Sequence, residues 1–154
     1  MRFKRNLLLL SFSFVIIFQT YSQEVTLQES SKGMDFLLDG KLVLSYQMTK
    51  EPVPTGIKEA YSKSGFIHPI QSPSGQILSR IQPEDHYHHY GIWGPYTRAT
   101  IGGKEVDFWN LGDEKGRVDF SHVLSKKQAG GAAELTVRQH HVDLKAAPES
   151  RIAM

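Results

Sequence analysis

Proline placement constrains the fold of this chain more than any other feature, because six of its seven prolines fall between residues 51 and 96. A proline inside a helix removes a backbone donor and clashes with the preceding turn, so no long helix can run through this stretch. The six are Pro52, Pro54, Pro69, Pro73, Pro83 and Pro95. From residue 23 onward the sequence also lacks an apolar repeat of 3.6 residues with helix caps, which argues against a helical domain.

Three short turn signals predict antiparallel hairpins. They are the dipeptides Asp39-Gly40, Gly102-Gly103 and Gly130-Gly131. Each lies between apolar or alternating segments, and the type I′ turn of a two-residue hairpin requires positive φ at both central residues. The third dipeptide joins two strand candidates, 118–124 and 135–144. The sequence therefore predicts one all-β domain of antiparallel strands, built as a β-sandwich or half-barrel.

Residues 1–22 have the pattern of a secretory signal peptide. The segment opens with the cations Arg2, Lys4 and Arg5, continues with an apolar run over 7–18, and ends with small residues suited to a cleavage site. The run is shorter than the roughly 20 apolar residues of a bilayer span. An uncleaved N-terminal anchor is the alternative. We predict an exported bacterial protein, periplasmic or extracellular, whose mature domain is 23–154.

The composition of this mature domain excludes several function classes. The chain has no cysteine, so a disulfide framework, a thiolate metal site and a cysteine nucleophile are excluded. Three of its 18 basic residues belong to the leader, which leaves 15 basic against 16 acidic residues. A near-neutral domain with scattered cations is not a nucleic-acid binder, which needs a basic face. No second long apolar stretch follows, so no membrane span is expected after signal cleavage.

The most informative segment is a histidine-rich run, Asp85-His86-Tyr87-His88-His89. A strand would place His86 and His88 on one face and His89 on the other, whereas a turn could bring all three together. Neutral imidazoles act as acid/base groups and as metal ligands, so we predict catalytic roles for the three histidines and a possible divalent metal held by them. Asp85 would orient an imidazole or supply an oxygen ligand. The alternative is an exposed polar loop with structural histidines.

Aromatic residues surround this run and favour a sugar ligand. They are Tyr87, Tyr90, Trp93, Tyr96 and Trp109. Aromatic faces beside hydrogen-bonding groups match a pyranose ring, which offers C–H faces and hydroxyl edges. We predict that Tyr87 and Trp93 bind substrate, whereas Trp109 and Phe108 could equally be core residues. His68 and His122 lie outside the run and could join the site only through the fold.

Four motifs in this order resemble the PmoA-like family of exported bacterial proteins, often labelled "methane oxygenase PmoA". They are G-F-I-H-P-I at 65–70, S-P-S-G at 72–75, P-E-D-H-Y-H-H-Y-G-I-W at 83–93 and G-K-E-V-D-F-W at 103–109. The resemblance covers residues 35–137. The label does not fit the chemistry of this chain, because a membrane-bound methane monooxygenase subunit needs several apolar spans of roughly 20 residues. An oxygenase would also need copper or iron and an electron source.

The resemblance implies a fold similar to the large β-sandwiches of the galactose-mutarotase type and a carbohydrate-related role. It carries His86, His88 and His89 over as site residues, and Asp85, His68 and His122 match positions that the family also favours. Members of the family are longer than this chain, which departs from their pattern after Val137. We therefore expect a C-terminally incomplete member with a frayed end or an unpaired sheet edge.

Two function classes stay open at this point. In the first, the protein is an exported carbohydrate-active enzyme with imidazoles as acid/base groups or metal ligands. In the second, it is a non-catalytic sugar-binding or scaffold module that uses the aromatic residues as a platform. The cofactor is unknown, and the metal content separates the two classes. The expected partner is a small-molecule carbohydrate.

Overall fold

A computed structural model describes residues 23–154, and the predicted signal peptide at 1–22 lies outside the described residues. The strands are β1 Val25–Glu29, β2 Gly33–Leu38, β3 Lys41–Gln47, β4 Phe66–Ile70, β5 Ala99–Ile101, β6 Lys104–Val106, β7 Gly116–Ala129 and β8 Ala132–Asp143. Three short 3-10 turns complete the regular structure, at Glu59–Tyr61, Leu111–Asp113 and Pro148–Ser150. Within 23–154 no helix is long and apolar enough to cross a membrane. The predicted all-β, antiparallel fold class is confirmed.

Strands β1 to β4 form a four-stranded antiparallel sheet in the order of the chain. Asp39 and Gly40 connect β2 to β3 with φ of 49° and 76°, so the predicted hairpin turn is confirmed. Leu38 pairs with Lys41 and Leu37 with Leu42, the register that a two-residue turn requires, and Phe36 pairs with Leu44, one position out of that register. One irregularity between Phe36 and Leu37 shifts the register by a residue. The turn chemistry therefore determined this element locally.

Two further hairpins use the other predicted turns. β5 and β6 meet at Gly102-Gly103, and β7 and β8 meet at Gly130-Gly131, with positive φ at all four glycines. Strand β7 extends beyond the predicted segment 118–124 at both ends. Strand β8 begins before the predicted segment 135–144 and ends at Asp143. The tip of the β7–β8 hairpin lies on the four-stranded sheet, where the Val25 N–H donates to the Gly131 carbonyl at 3.0 Å.

The core consists of two apolar clusters that share one indole. Phe66, Tyr90 and Leu111 form the first cluster, and Val106, Phe108 and Val118 form the second. Trp93 packs against both of them. The segment that contains the histidine-rich run is therefore attached to the core through Trp93 and Tyr90.

The C-terminal end is not frayed, because its last residues pair with the end of β8. Backbone bonds join it to β8: the Asp143 N–H donates to the Arg151 carbonyl at 2.7 Å, and the His141 N–H donates to the Met154 carbonyl at 2.8 Å. Ala153 also packs against the second core cluster. The 3-10 turn at Pro148–Ser150 reverses the chain and pairs this end, whereas β7 and β8 otherwise form a two-stranded sheet, so the expected unpaired edge remains along most of β8.

Candidate functional site

The histidine-rich run is a loop of two consecutive turns, not a strand. Tyr90, directly after it, forms an isolated antiparallel bridge with Ile81. The His86 N–H donates to the Pro83 carbonyl at 2.8 Å, and the His89 N–H donates to the His86 carbonyl at 2.9 Å. A further bond from the Gln82 N–H to the His89 carbonyl, at 2.8 Å, closes the loop. We call residues 82–89 the site loop.

This loop brings the three imidazoles together. The rings of His86 and His89 stack with their centroids 4.8 Å apart and their planes at 16°. The ring of His88 meets His89 edge-on at 4.5 Å and lies 5.6 Å from His86. Of the two conformations considered for this run, the turn is thus the one that forms.

The arrangement does not fit the predicted divalent-metal site. Among residues 23–154 no three His, Asp or Glu side chains are placed so that they could hold one metal ion. The reason lies in the stack of His86 on His89, because the nitrogen lone pairs of two parallel rings point along parallel planes and not toward one ion. The imidazoles of this loop can therefore act as hydrogen-bonding and proton-accepting groups.

An aromatic wall adjoins the histidines. The indoles of Trp93 and Trp109 stack at 5.6 Å with an interplanar angle of 13°, and the rings of His88 and His89 each lie 5.7 Å from the Trp109 ring. The two indoles and His89 border a cleft of about 630 Å³, which we call the tryptophan cleft, and His88 is not part of its lining. Its lining includes Arg80, Asp85, His86, His89, Trp93 and Trp109.

Trp109 owes its position to the preceding residues of the V-D-F-W motif. Val106 and Phe108 are buried in the core, so Asp107 and Trp109 point the other way. The Asp107 carboxylate accepts the Trp109 N–H at 2.8 Å, the Asn110 N–H at 3.0 Å and the Asn110 side-chain amide at 2.6 Å. Burial alone would raise the pKa of Asp107, but these hydrogen bonds outweigh it and lower the pKa. Trp109 is therefore a half-buried cleft residue and not a core residue.

Trp93 rests on a buried lysine that the sequence analysis missed. Lys63 has no exposed surface, and its ammonium lies 4.1 Å from the centroid of the Trp93 ring, with Phe66 and Tyr90 at 5.3 and 5.5 Å. Its Nζ donates to the Ser64 carbonyl at 2.7 Å. Burial lowers the pKa of Lys63 to about 7, although the charge of Asp119 acts in the opposite direction. No pattern in the sequence marks a lone lysine between two serines as a core residue.

A close backbone contact attaches the end of the site loop to β4. Gly91 has a φ of 45°, and a Cβ at this position would lie 2.1 Å from the Ile67 carbonyl oxygen. Directly beside it, Ile67 and Ile92 exchange two backbone hydrogen bonds of 2.8 and 3.1 Å. Only glycine permits this approach, so Gly91 positions the loop against the sheet.

The electrostatics of the loop keep one imidazole neutral. His86 Nδ1 lies 3.0 Å from the Asp85 carboxylate, and this hydrogen bond lowers the pKa of Asp85. Burial lowers the pKa of His88, and the adjacent His89 and His86 lower it further. His88 is therefore neutral at pH 7 and can accept a proton.

The remaining predicted site residues lie elsewhere. Tyr87 packs against Tyr61 at 5.9 Å, on a second cleft treated below. His68 bonds Ser79 through Nδ1 at 2.8 Å, and burial lowers its pKa. His122 is exposed on β7 and bonds Ser121 at 2.9 Å. Neither of these two histidines lines the tryptophan cleft, so the fold does not bring them into the site.

Sequence reasoning also missed Arg80, which lines the tryptophan cleft. It lies on the irregular segment between β4 and the site loop, where no turn or strand pattern indicates the direction of a side chain. Trp109 was considered only as a neighbouring aromatic residue, although the aspartate before it in V-D-F-W is a usable turn signal.

Fold and site together define an all-β domain of antiparallel strands with an aromatic, histidine-bordered cleft on an irregular loop. The chain belongs to the Family of unknown function (DUF6807), whose model matches residues 33–151. The matched region contains every strand from β2 to β8 and the whole site loop. No curated protein and no solved structure matches this chain.

Proposed function

We propose that this protein is an exported, carbohydrate-processing member of its family that binds a sugar in the tryptophan cleft. The observation that carries the proposal is the stacked pair Trp93 and Trp109, whose cleft also has the polar groups of His86, His89 and Arg80. A pyranose ring needs both an aromatic face and hydrogen-bonding partners at its edge. The volume of about 630 Å³ lies within the range of small-molecule sites.

His88 supplies a neutral imidazole, a proton acceptor near pH 7, at the edge of the tryptophan cleft and not in its lining. Its ring contacts Trp109, so it lies at the border of the aromatic wall. An acid/base group contributes to a reaction only where it can reach the proton of a bound substrate. We assign His88 the role of general base, with His86 and His89 as hydrogen-bonding groups and Asp85 as the residue that orients His86.

The resemblance to the PmoA-like family supports the carbohydrate assignment and the export, not an oxygenase activity. The signal-peptide pattern at 1–22 supports a periplasmic or extracellular location. Intact-mass analysis of the material secreted by an expressing bacterium should give a mature chain beginning near Gln23. Recovery of soluble cytoplasmic protein that retains Met1 would contradict the export.

A direct binding measurement tests the proposal, because the chain has only two tryptophans and both line the tryptophan cleft. Tryptophan fluorescence, excited at a wavelength that tyrosine does not absorb, therefore reports on this cleft alone. Titration with glucose, galactose, mannose, xylose and their linked oligomers should change the emission. Trp109→Ala should weaken binding of the active sugar at least about tenfold, given the large contact area of an indole.

Tyr96→Ala is the matched control, because Tyr96 is an exposed aromatic residue that does not line the tryptophan cleft. It should leave the affinity unchanged. His88→Ala separates the two function classes: loss of turnover with retained binding identifies an enzyme, and a substrate panel that is bound but never converted identifies a non-catalytic module. Failure of every sugar in the panel to bind would refute the proposed function.

A further inference from the structure

The Asp85–His86 pair separates two clefts. On one side lies the tryptophan cleft, and on the other lies a cleft of about 490 Å³, which we call the tyrosine cleft. Asp85 and His86 line both of them. The tyrosine cleft is also lined by Lys58, Tyr61, Tyr87, His88 and Asn110.

Each cleft has its own aromatic pair. In the tryptophan cleft it is the Trp93–Trp109 stack, and in the tyrosine cleft it is Tyr61 with Tyr87, whose centroids lie 5.9 Å apart at an angle of 49°. An aromatic face is the feature by which the first cleft suits a sugar ring, and the second cleft repeats it. The two clefts are therefore of the same chemical kind.

We propose that the ligand is a linked oligosaccharide that spans both clefts, with consecutive sugar units on either side of the Asp85–His86 pair. This inference rests on the proposed function of the tryptophan cleft and adds a second subsite to it. A linked ligand binds more tightly than a single unit, because binding of the first unit raises the effective concentration of the second at its own subsite.

The charges favour a neutral sugar chain. The tryptophan cleft has one cation, Arg80, against the carboxylate of Asp85. In the tyrosine cleft the cation is Lys58, and the carboxylate of Asp113 on that side has its own partner, Lys115, at 3.3 Å. Neither cleft has the cluster of unpaired cations that a polyanionic sugar requires.

The shared pair is placed where the linkage between two units would lie. The side chains of Asp85 and His86 are exposed, at 76% and 50%, and their 3.0 Å contact orients the imidazole. With Nδ1 directed to the carboxylate, Nε2 is the ring nitrogen available to the ligand. His86 can therefore hydrogen-bond the oxygen that connects the two units.

Calorimetric titration of the mature protein with matched mono-, di- and trisaccharides tests this inference. The probes are glucose, mannose and xylose with their β-1,4-linked dimers and trimers. We expect the dimer of the preferred sugar to bind at least about tenfold more tightly than the monomer, as a second contacting unit implies. Tyr87→Ala should remove that gain and leave monomer affinity within about twofold. Trp109→Ala should weaken monomer and dimer together.

Lys58→Met is a second variant for the tyrosine cleft, because Lys58 is exposed and its loss leaves the packing of Tyr87 on Tyr61 intact. A smaller, dimer-specific loss of affinity is expected. Equal affinities for monomer and dimer would overturn the two-subsite inference and leave the proposed function in place. No fluorescence change and no heat with any monomer or oligomer would overturn both.

Discussion

The Asp39-Gly40 hairpin and the site loop are both turns of the backbone, and they are held in different ways. The Asp39-Gly40 hairpin closes between two paired strands, and its conformation follows from the two residues at its tip. The site loop has no flanking ladder. It is held by a side-chain bond from Gln82 to the Pro52 carbonyl at 3.0 Å and by the contact of Gly91 with β4. The comparison teaches that the functional loop depends on partners outside a paired sheet, whereas the hairpin is fixed by its own paired strands and by two hydrogen bonds between Asp39 and Glu24.

The largest expected difference between the two turns comes from matched glycine substitutions. Gly91→Ala should cost roughly 4 kcal/mol of unfolding free energy, because backbone strain and a collision with the Ile67 carbonyl add together. Gly40→Ala should cost only about 1 kcal/mol, because nothing lies within 4 Å of its Cβ and only the positive φ is penalised. Urea unfolding of both variants checks this. Equal losses would mean that the loop is not held by β4.

The buried Lys63 beneath the site makes the stability pH-dependent. The unfolded chain keeps this proton up to a pKa near 10.5, whereas the folded protein releases it near 7, so the unfolded state binds more protons in between. Stability should therefore rise from pH 7 to pH 10, by about 3 kcal/mol at roughly 1.4 kcal/mol per pKa unit. The rise should be reversed above pH 10, because burial raises the pKa of Tyr90 to about 12.

Urea midpoints at pH 7, 8, 9 and 10 measure this rise, and Lys63→Met is the variant that should flatten it. The methionine keeps an apolar stem among Phe66, Tyr90 and Trp93. A wild-type rise that persists in the variant would assign the titration to another group.

Loss of the hydrogen bonds by which Asp107 positions Trp109 should have a smaller effect on the free energy of unfolding. Asp107→Ala removes three hydrogen bonds at the turn and should cost about 1.5 kcal/mol. It should also weaken the near-ultraviolet circular dichroism of the Trp93–Trp109 pair. Asp107→Asn keeps an accepting oxygen, so its loss of unfolding free energy should be less than half that of Asp107→Ala. Unchanged dichroism in the alanine variant would show that the core, and not the carboxylate, positions the indole.

The smallest effects on stability are expected in the site loop itself. His88→Ala should change the unfolding free energy by less than about 1 kcal/mol, because the ring is half-buried at the loop surface. Since burial and the neighbouring histidines lower the pKa of His88, any turnover should decline only along an acid limb below pH 6.5.

Chelation by EDTA should leave the melting temperature and sugar binding unchanged, because the stacked imidazoles do not converge on one ion. A stabilisation of several degrees by added zinc that EDTA reverses and His88→Ala abolishes would restore the metal-site hypothesis.

Local chemistry explains what the sequence analysis predicted correctly. Positive φ at Asp39-Gly40 and at the two Gly-Gly turns is a property of the residues themselves, so the hairpins could be located before the structure. The pairing of the C-terminal segment with β8 could not be predicted from the sequence, because these backbone bonds depend on the position of β8 and not on the side chains of the segment.

The same division holds in the site. That Asp85, His86, His88 and His89 form a polar group beside aromatic residues follows from their spacing. Backbone bonds within the loop close its two turns, and two of its own imidazoles stack, which spacing left open between a strand and a turn. The exclusion of His68 and His122 depends instead on the course of the chain outside the loop.

The sequence by itself determined the antiparallel β class, the hairpin turns and the location of the site along the chain, because short-range backbone preferences and residue chemistry act within a few positions. The tertiary structure alone decided that Lys63 lies beneath Trp93, that Trp109 faces a cleft, and that the Asp85–His86 pair stands between two clefts. These features arise from packing between segments that are separate in the chain, and burial is a property of the assembled core that no single segment specifies.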